Sequence, residues 1–278
     1  MTMRRFILIL FYTFILFCLP TQAKVLKVLA IGNSFSQDPV EQYLYELAKA
    51  QGDSLVIGNA YIGGCTIESH YNNLRDNKPS YDYRKVVAGI KAEYKKVTLQ
   101  RIIRDEDWDL ITLQQASQLS GDPRSFTLLP SLKRLVATYA SNLHVQFAWH
   151  MTWAYADDYK DKRFAAYDYN QRNMYSAIVS TMLSTLPSVD IQRIIPSGTA
   201  IQLARYRFGD IMNRDGFHLS YTLGRYTAAC CWCEFLTGKN IDGDSWHPDT
   251  ITDEEASLCQ QAAHEAIFMQ QQGRYSVF

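Results

Sequence analysis

The hydrophobic positions of the chain fall into short runs that alternate with longer segments of helical spacing. The first run, residues 27–31, consists of apolar and β-favouring residues and stops at Gly32, and an apolar-periodic segment follows over residues 40–48. This order predicts a buried strand, a tight turn and a helix. Four more short runs predict strands over residues 54–61, 108–113, 144–149 and 191–195.

Segments with helical spacing separate these runs. They predict helices over residues 97–105, 127–139, 164–186, 199–206 and 223–236, and a last helix that begins at Thr252. Glu255 follows Thr252 at the spacing of a capping box. Residues 68–83 are rich in Tyr, Asn, Asp and Pro without a clear period, so we expect a long surface loop there, and a second loop over residues 209–219. Strands that alternate with helices predict an α/β domain of three layers, with about five parallel strands covered on both faces.

The N-terminal segment has the layout of a secretory signal peptide. Two arginines precede an apolar run over residues 6–19, and small-flanked residues that end at Ala23 supply a cleavage site. The run is short for a transmembrane helix, which needs roughly 20 apolar residues. We therefore expect residues 1–23 to be removed and residues 24–278 to form one domain. The mature protein is expected to be secreted, into the periplasm or outside the cell, without stable membrane insertion.

Composition restricts the classes of partner and cofactor. The chain has 28 Lys+Arg and 28 Asp+Glu, a formal net charge of +0, which gives no support for a nucleic-acid partner. The 6 histidines lack the spacing of a metal site and no glycine-rich phosphate loop is present, so we expect no metal and no other cofactor. The cysteines after residue 23 are odd in number and three crowd one apolar segment, which favours buried thiols over a disulfide framework.

A serine in the first strand–turn–helix unit is the candidate nucleophile. Ser34 lies at the carboxyl edge of the predicted sheet, where the next helix aims unpaired N–H groups and its positive dipole end at a ligand. A serine hydroxyl needs a base, and the base needs a group that orients it. Asp215 and His218 lie three residues apart in a predicted loop, so the carboxylate can accept the imidazole Nδ1–H and leave Nε2 for the serine. The alternative is a helix N-cap aspartate with an incidental histidine.

The segments 32–34 and 215–218 resemble the first and last sequence blocks of the SGNH (GDSL-like) hydrolases. The stretches 30–36, 61–65, 113–117 and 152–155 resemble a domain of unknown function that is common in secreted proteins of gut Bacteroides-type bacteria and is grouped with that family. The resemblance covers nearly the whole chain after residue 23. It implies a flavodoxin-like three-layer sandwich and esterase or lipase activity, with Ser34 as nucleophile, His218 as base and Asp215 as the residue that orients the base.

The resemblance also implies an oxyanion hole. Its donors would be the backbone N–H groups of Ser34 and of Gly64, in the turn after the second predicted strand. Asn33 stands where the family often has aspartate, and the asparagine of the third block, which normally completes the hole, is absent. Gln114 directly follows the third predicted strand and is the preferred substitute, with Gln115 as the alternative. Gln114 can equally be a buried amide that bridges loops.

Aromatic residues follow the fourth predicted strand at the same sheet edge. Trp153 and Tyr155 are expected to bind the substrate as an apolar or sugar-stacking wall, because aromatic rings combine stacking area with a polar handle. Trp149 belongs either to this wall or to the core.

These patterns predict a secreted serine esterase that removes a short acyl group, acetate in the first place, from a carbohydrate. The substrate would be a small-molecule or polysaccharide ester. The carbohydrate part rests on the resemblance, on the secretion signal and on the tyrosine-rich loops. Two alternatives remain: a lipase or thioesterase on the same scaffold, and a non-catalytic carbohydrate-binding protein that has lost the oxyanion asparagine.

Overall fold

The structure, a computed structural model, describes residues 25–278, so the predicted signal peptide lies outside the described residues. Within this range, no helix combines the length and the apolar character that a membrane crossing demands. The strands are β1 (Val25–Gly32), β2 (Ser54–Tyr61), β3 (Tyr81–Val87), β4 (Ile90–Val97), β5 (Leu110–Leu113), β6 (Gln146–His150) and β7 (Arg193–Ile195).

These strands form one sheet in the order β4-β3-β2-β1-β5-β6-β7. The strands β2, β1, β5, β6 and β7 pair in parallel, and their order along the sheet is the flavodoxin-like one. The predicted α/β class and the five parallel strands are therefore confirmed. The carboxyl ends of these strands meet at one edge, which is where open sheets of this kind bind ligands.

Helices cover both faces of the sheet. They are α1 (Ser34–Val40), α2 (Leu44–Ala50), α3 (Ile67–Arg75), α4 (Leu99–Ile103), α5 (Leu129–Tyr139), α6 (Gln171–Thr185), α7 (Ser197–Phe208), α8 (Leu223–Thr237) and α9 (Asp253–Gln271). Thr252 and Glu255 form the predicted capping box at the start of α9. The helix α8 is buried between its neighbours, and the free thiols of the described residues are all buried, as predicted: Cys65, Cys230, Cys231, Cys233 and Cys259.

The prediction of a long loop over residues 68–83 is wrong. The helix α3 occupies its first half, and its buried residues Ile67, His70 and Leu74 follow helical spacing inside a polar composition. Thr66 caps this helix by accepting the Ser69 N–H at 3.1 Å. The second half leads into β3, which pairs antiparallel with β2 and with β4 and so adds a hairpin to the sheet that the pattern did not predict.

Two helix boundaries also differ from expectation. The helix expected over residues 40–48 is two helices, because α1 already begins at Ser34 and ends just after Pro39. The helix expected over residues 164–186 is a 3-10 turn over Lys162–Tyr167 followed by α6. Asp168 has a left-handed φ of 57° between them, which ends the 3-10 turn.

Candidate functional site

Ser34 is the first residue of α1 and follows β1 at the carboxyl edge of the sheet. Asn33 caps the helix by accepting the Phe35 N–H at 3.0 Å. The side chain of Ser34 is half-buried, and within residues 25–278 its hydroxyl has no hydrogen-bond partner. Ser36, by contrast, is only 1% exposed and its hydroxyl lies 2.9 Å from Asn59 Oδ1. Of the two serines in this turn, Ser34 is therefore the one whose hydroxyl is free to react.

Asp215 and His218 form the hydrogen bond that a catalytic base requires. Asp215 Oδ2 lies 2.7 Å from His218 Nδ1, while Oδ1 accepts the backbone N–H groups of Phe217 at 3.2 Å and His218 at 2.8 Å. Partial burial raises the pKa of Asp215, but the hydrogen bonds from His218 and from these backbone groups outweigh it, so the pKa lies below its ordinary value. The ionised carboxylate accepts the Nδ1–H, which leaves Nε2 without a partner among the described residues.

Aromatic contacts join the turn of Ser34 to the turn that carries Asp215 and His218. The Phe35 ring lies 6.2 Å from the His218 ring, and it stacks on Trp153 at 4.2 Å. Trp153 in turn donates its Nε1–H to the Phe217 carbonyl at 2.7 Å. The neighbours of Ser34 thus pack against residues 217–218. Ser34 Oγ and His218 Nε2 are not hydrogen-bonded to each other, a contact that is often long in unliganded hydrolases, and their pairing stays a prediction.

A buried ion cluster fixes α1 to the turn that carries His218. Asp38, on α1, has a fully buried side chain and accepts the Leu219 N–H at 2.8 Å. Its carboxylate also binds Arg225 of α8 at 2.6 Å and Arg214 at 3.5 Å. Sequence reasoning missed this residue, although an acidic side chain four positions after Ser34 lies on the same face of the helix and is a usable signal. Asp38 therefore joins the nucleophile helix to the base turn.

The backbone N–H groups of Ser34 and Gly64 are unpaired among the described residues, and the turns that carry them lie against each other. Asn33 Nδ2 donates to the Cys65 carbonyl at 3.0 Å, and the Ile62 N–H donates to the Gly32 carbonyl at 3.3 Å, so the turn after β2 lies against the nucleophile turn. Within the described part of the chain, the N–H groups of Ser34 and Gly64 donate to no other group. Gly64 has a φ of +62°, which glycine adopts without strain.

Gln114 lies behind the nucleophile turn. It is 2% exposed, its Nε2 donates to Asn33 Oδ1 at 2.9 Å, and its Oε1 lies 2.9 Å from His150 Nδ1. A Cβ on Gly32 would lie 2.8 Å from Gln114 Cδ, so only glycine leaves room for this amide beneath the turn. Gln114 is thus a buried bridging amide, and one of its two amide hydrogens remains uncommitted among the described residues.

Gln115 is occupied elsewhere. Its Oε1 accepts the Ile67 N–H at 3.0 Å and the Ala116 N–H at 2.8 Å. Its Nε2 lies 2.9 Å from the Ser125 carbonyl and 3.0 Å from the Ser125 hydroxyl. Both amide hydrogens are engaged, so the alternative oxyanion donor loses its support.

The expected aromatic wall is buried. Trp153 and Tyr155 are each 0% exposed and Trp149 is 3% exposed, so none of them presents a ring to a substrate. The segment after β6 is buried, and there the Trp153 ring stacks on the Phe35 ring. The partly exposed rings beside His218 belong instead to Phe217 and Tyr159, whose centroids lie 5.5 Å apart.

No three His, Cys, Asp or Glu side chains of residues 25–278 lie close enough together to hold a metal ion. Arg163 is an exposed cation that lies against the base turn. Its guanidinium lies 4.7 Å from the Phe217 ring and binds Asp161 at 2.8 Å. The rim of the site is therefore both aromatic and charged.

Asp215→Ala is expected to lower kcat for ester hydrolysis by about 10²-fold while KM stays nearly constant, because His218 loses the acceptor that selects its tautomer. The loss is smaller than for a buried triad aspartate, since the Asp215 side chain is 43% exposed and water can replace part of it. Steady-state kinetics on a chromogenic acetate ester measures both constants. An unchanged kcat would remove Asp215 from the site.

Two buried histidines make the fold sensitive to acid. Burial lowers the pKa of His70 and of His150 from 6.5 to about 3. Below pH 6.5 the unfolded chain binds protons that the folded chain does not, so the free energy of unfolding should fall between about pH 6 and pH 3. The expected slope is on the order of 1 kcal/mol per pH unit for each histidine.

Urea unfolding at several pH values tests this sensitivity. His70→Gln keeps a polar partner for Tyr81, whose hydroxyl lies 2.9 Å from His70 Nδ1, and removes one titrating group. The variant should therefore lose stability less steeply than the wild type below pH 6. Identical slopes for the two proteins would contradict the assignment.

The sequence matches the DUF4886 family, described as a domain of unknown function, over residues 27–266. A crystal structure of a DUF4886 family protein from Bacteroides uniformis is 47% identical, with a TM-score of 0.86, and the match covers 88% of this chain and 95% of that one. TesA is 12% identical, with a TM-score of 0.49 and coverage of 76% and 98%. Axe2, an acetylxylan esterase from Geobacillus stearothermophilus, is 10% identical, with a TM-score of 0.47 and coverage of 77% and 95%. No curated protein matches the sequence.

Proposed function

The chain belongs to the DUF4886 family, and we propose that it is a serine hydrolase that cleaves ester bonds. The observation that carries this proposal is the 2.7 Å Asp215–His218 hydrogen bond on a turn that packs against the helix of Ser34. A carboxylate on Nδ1, a free Nε2 and a serine with an unpartnered hydroxyl are the three parts that activation of a serine needs.

The proposed reaction has two steps. Ser34 Oγ attacks the ester carbonyl while its proton passes to His218 Nε2, and Asp215 stabilises the imidazolium. The unpaired N–H groups of Ser34 and Gly64 receive the oxyanion, and Gln114 has a further amide hydrogen for it. His218 then protonates the leaving alkoxide. Water, deprotonated by the same imidazole, attacks the acyl carbon; the bond from that carbon to Ser34 Oγ breaks, the acid leaves, and the imidazolium returns a proton to Oγ.

We propose a short acyl group on a carbohydrate as the substrate. A groove of about 360 Å³ lies beside the C-terminal half of α1, and its lining mixes polar and charged side chains, among them Gln37, Glu41 and Arg84, with apolar ones such as Val40 and Ile57. Ser34 and His218 do not line this groove, so it supports the proposal only as a neighbouring surface whose polar groups could pair with the hydroxyls of a sugar. The predicted signal peptide supports an extracellular or periplasmic substrate.

A panel of esters tests the proposal. We expect kcat/KM for 4-nitrophenyl acetate to exceed that for the decanoate ester at least tenfold, and acetylated xylo-oligosaccharides to release acetate. A fluorophosphonate probe should add its mass to the peptide that contains Ser34, and not after mutation of that serine to alanine. Preference for decanoate would indicate a lipase, and preference for an acyl thioester a thioesterase. Sugar binding without hydrolysis or labelling would indicate a carbohydrate-binding protein.

A further inference from the structure

A chain of buried hydrogen bonds runs from α7 to the turn of Gly64. Ser197 Oγ lies 3.1 Å from His150 Nε2, and His150 Nδ1 lies 2.9 Å from Gln114 Oε1. Gln114 Nε2 lies 2.9 Å from Asn33 Oδ1, and Asn33 Nδ2 lies 3.0 Å from the Cys65 carbonyl. Five side-chain and backbone groups from five parts of the chain are thus linked behind Ser34.

The backbone fixes the direction of this chain. Asn33 Oδ1 accepts the Phe35 N–H, which can only donate, and Asn33 Nδ2 meets the Cys65 carbonyl, which can only accept. Asn33 Oδ1 therefore requires the NH₂ group of Gln114, and this orientation turns Gln114 Oε1 toward the imidazole. His150 must then donate from Nδ1.

The surroundings of His150 keep its imidazole neutral and protonated at Nδ1. The side chain is 0% exposed, and the rings of Trp232 and Trp153 lie 5.0 Å and 6.2 Å from its ring. Burial lowers the pKa of His150 to about 3, so the imidazole is neutral at neutral pH. A neutral ring that donates from Nδ1 has an acceptor at Nε2, which receives the Ser197 hydroxyl.

We propose that His150 is a positioning residue of the oxyanion hole: its Nδ1–H holds the Gln114 amide toward Asn33, and Asn33 holds the Cys65 carbonyl so that the Gly64 N–H stays beside Ser34. The inference rests on the proposed ester hydrolysis. Without the Nδ1 donor, Gln114 Oε1 is a buried acceptor with no partner, so the amide is no longer held in the position from which its Nε2 donates to Asn33 Oδ1. The donors of the oxyanion hole would then be held less firmly where negative charge develops. This raises the energy of the transition state more than that of the bound substrate.

Two substitutions of His150 separate positioning from packing. His150→Asn puts a donor near the position of Nδ1, whereas His150→Leu fills similar space without a donor. We expect His150→Leu to lower kcat by about 10²-fold with KM within threefold of wild type, and His150→Asn to retain kcat within tenfold. Equal losses in the two variants, or an unchanged kcat in folded His150→Leu, would overturn the inference.

A measurement on the wild-type protein does not depend on either variant folding or on turnover. Long-range ¹H–¹⁵N spectra of protein labelled with ¹⁵N-histidine report the tautomer of each ring. Two rings stay neutral below pH 5, and the one whose signals persist in His70→Gln is His150, which we expect to be an Nδ1–H tautomer. An Nε2–H tautomer would overturn the inference whatever the activity. If the tautomer is Nδ1–H but no ester is cleaved, the hydrogen-bond chain is as described but the proposed function fails, and so does the catalytic role assigned to His150.

Discussion

Ser34→Ala is expected to lower kcat/KM for 4-nitrophenyl acetate by about 10⁴-fold or more, since no other group can form the acyl-enzyme. The residual rate would come from the oxyanion donors and from binding alone. Because Ser34 is half-buried and makes no hydrogen bond within the described residues, its loss should leave the free energy of unfolding nearly unchanged. Kinetics and urea unfolding on the same preparation measure the two quantities.

Ser36→Ala is the matched control for this prediction. Ser36 lies two positions further along the same turn, but its hydroxyl is buried against Asn33 and Asn59. Its removal should cost about 1 kcal/mol of stability and less than tenfold in kcat/KM. If Ser36→Ala were the inactive variant and Ser34→Ala the active one, the nucleophile would be misassigned.

Asp38→Asn is expected to lower the free energy of unfolding by about 3–5 kcal/mol. The asparagine has the shape of the aspartate but lacks its charge, so the guanidinium of Arg225, 10% exposed and 2.6 Å away, stays in the interior without a counter-charge. Weaker binding of the Leu219 N–H should also loosen the base turn, so kcat should fall together with stability. Urea unfolding and kinetics at a temperature well below the unfolding midpoint separate the two effects.

Glu265→Gln is the control for a similar pair at the surface. Glu265 binds Arg207 at 2.8 Å, but the side chains are 47% and 23% exposed, so the change should cost under about 1 kcal/mol. Combining Asp38→Asn with Arg225→Met removes both charges and should recover part of the lost stability. A cost for Asp38→Asn no larger than that for Glu265→Gln would show that the cluster does not hold the fold.

Local patterns predicted the parts of the fold that local forces determine. The boundaries of β2 and the capping box of α9 follow from apolar runs and from side chains three residues apart. The sequence pattern did not predict the hairpin of β3 and β4, because charged residues interrupt its apolar positions and part of its stability comes from partners distant in sequence. Lys85, for example, binds Asp105 at 2.7 Å and Glu106 at 2.6 Å. The edge strand β4 carries Lys91, Lys95 and Lys96, and lysines on an edge strand discourage pairing with another chain.

The site shows the same division. The Asp215–His218 pair spans three residues and could be predicted from spacing. The bonds of Asp38 to Leu219 and of Gln114 to Asn33 join residues 181 and 81 positions apart, and no local pattern encodes them. Trp153 was misplaced for a related reason, because its distance from the surface depends on how the chain folds over it after β6.

Asp38 lies near the start of the chain and binds residues near its end, which constrains the order in which the site can form during synthesis. Its carboxylate meets Leu219 and Arg225, which are synthesised 181 or more residues after it, so the first half of the chain cannot complete the cluster. A partly made protein would carry Ser34 without its base. If the proposed hydrolysis holds, the site would be complete only after the turn of His218 and α8 have docked onto α1.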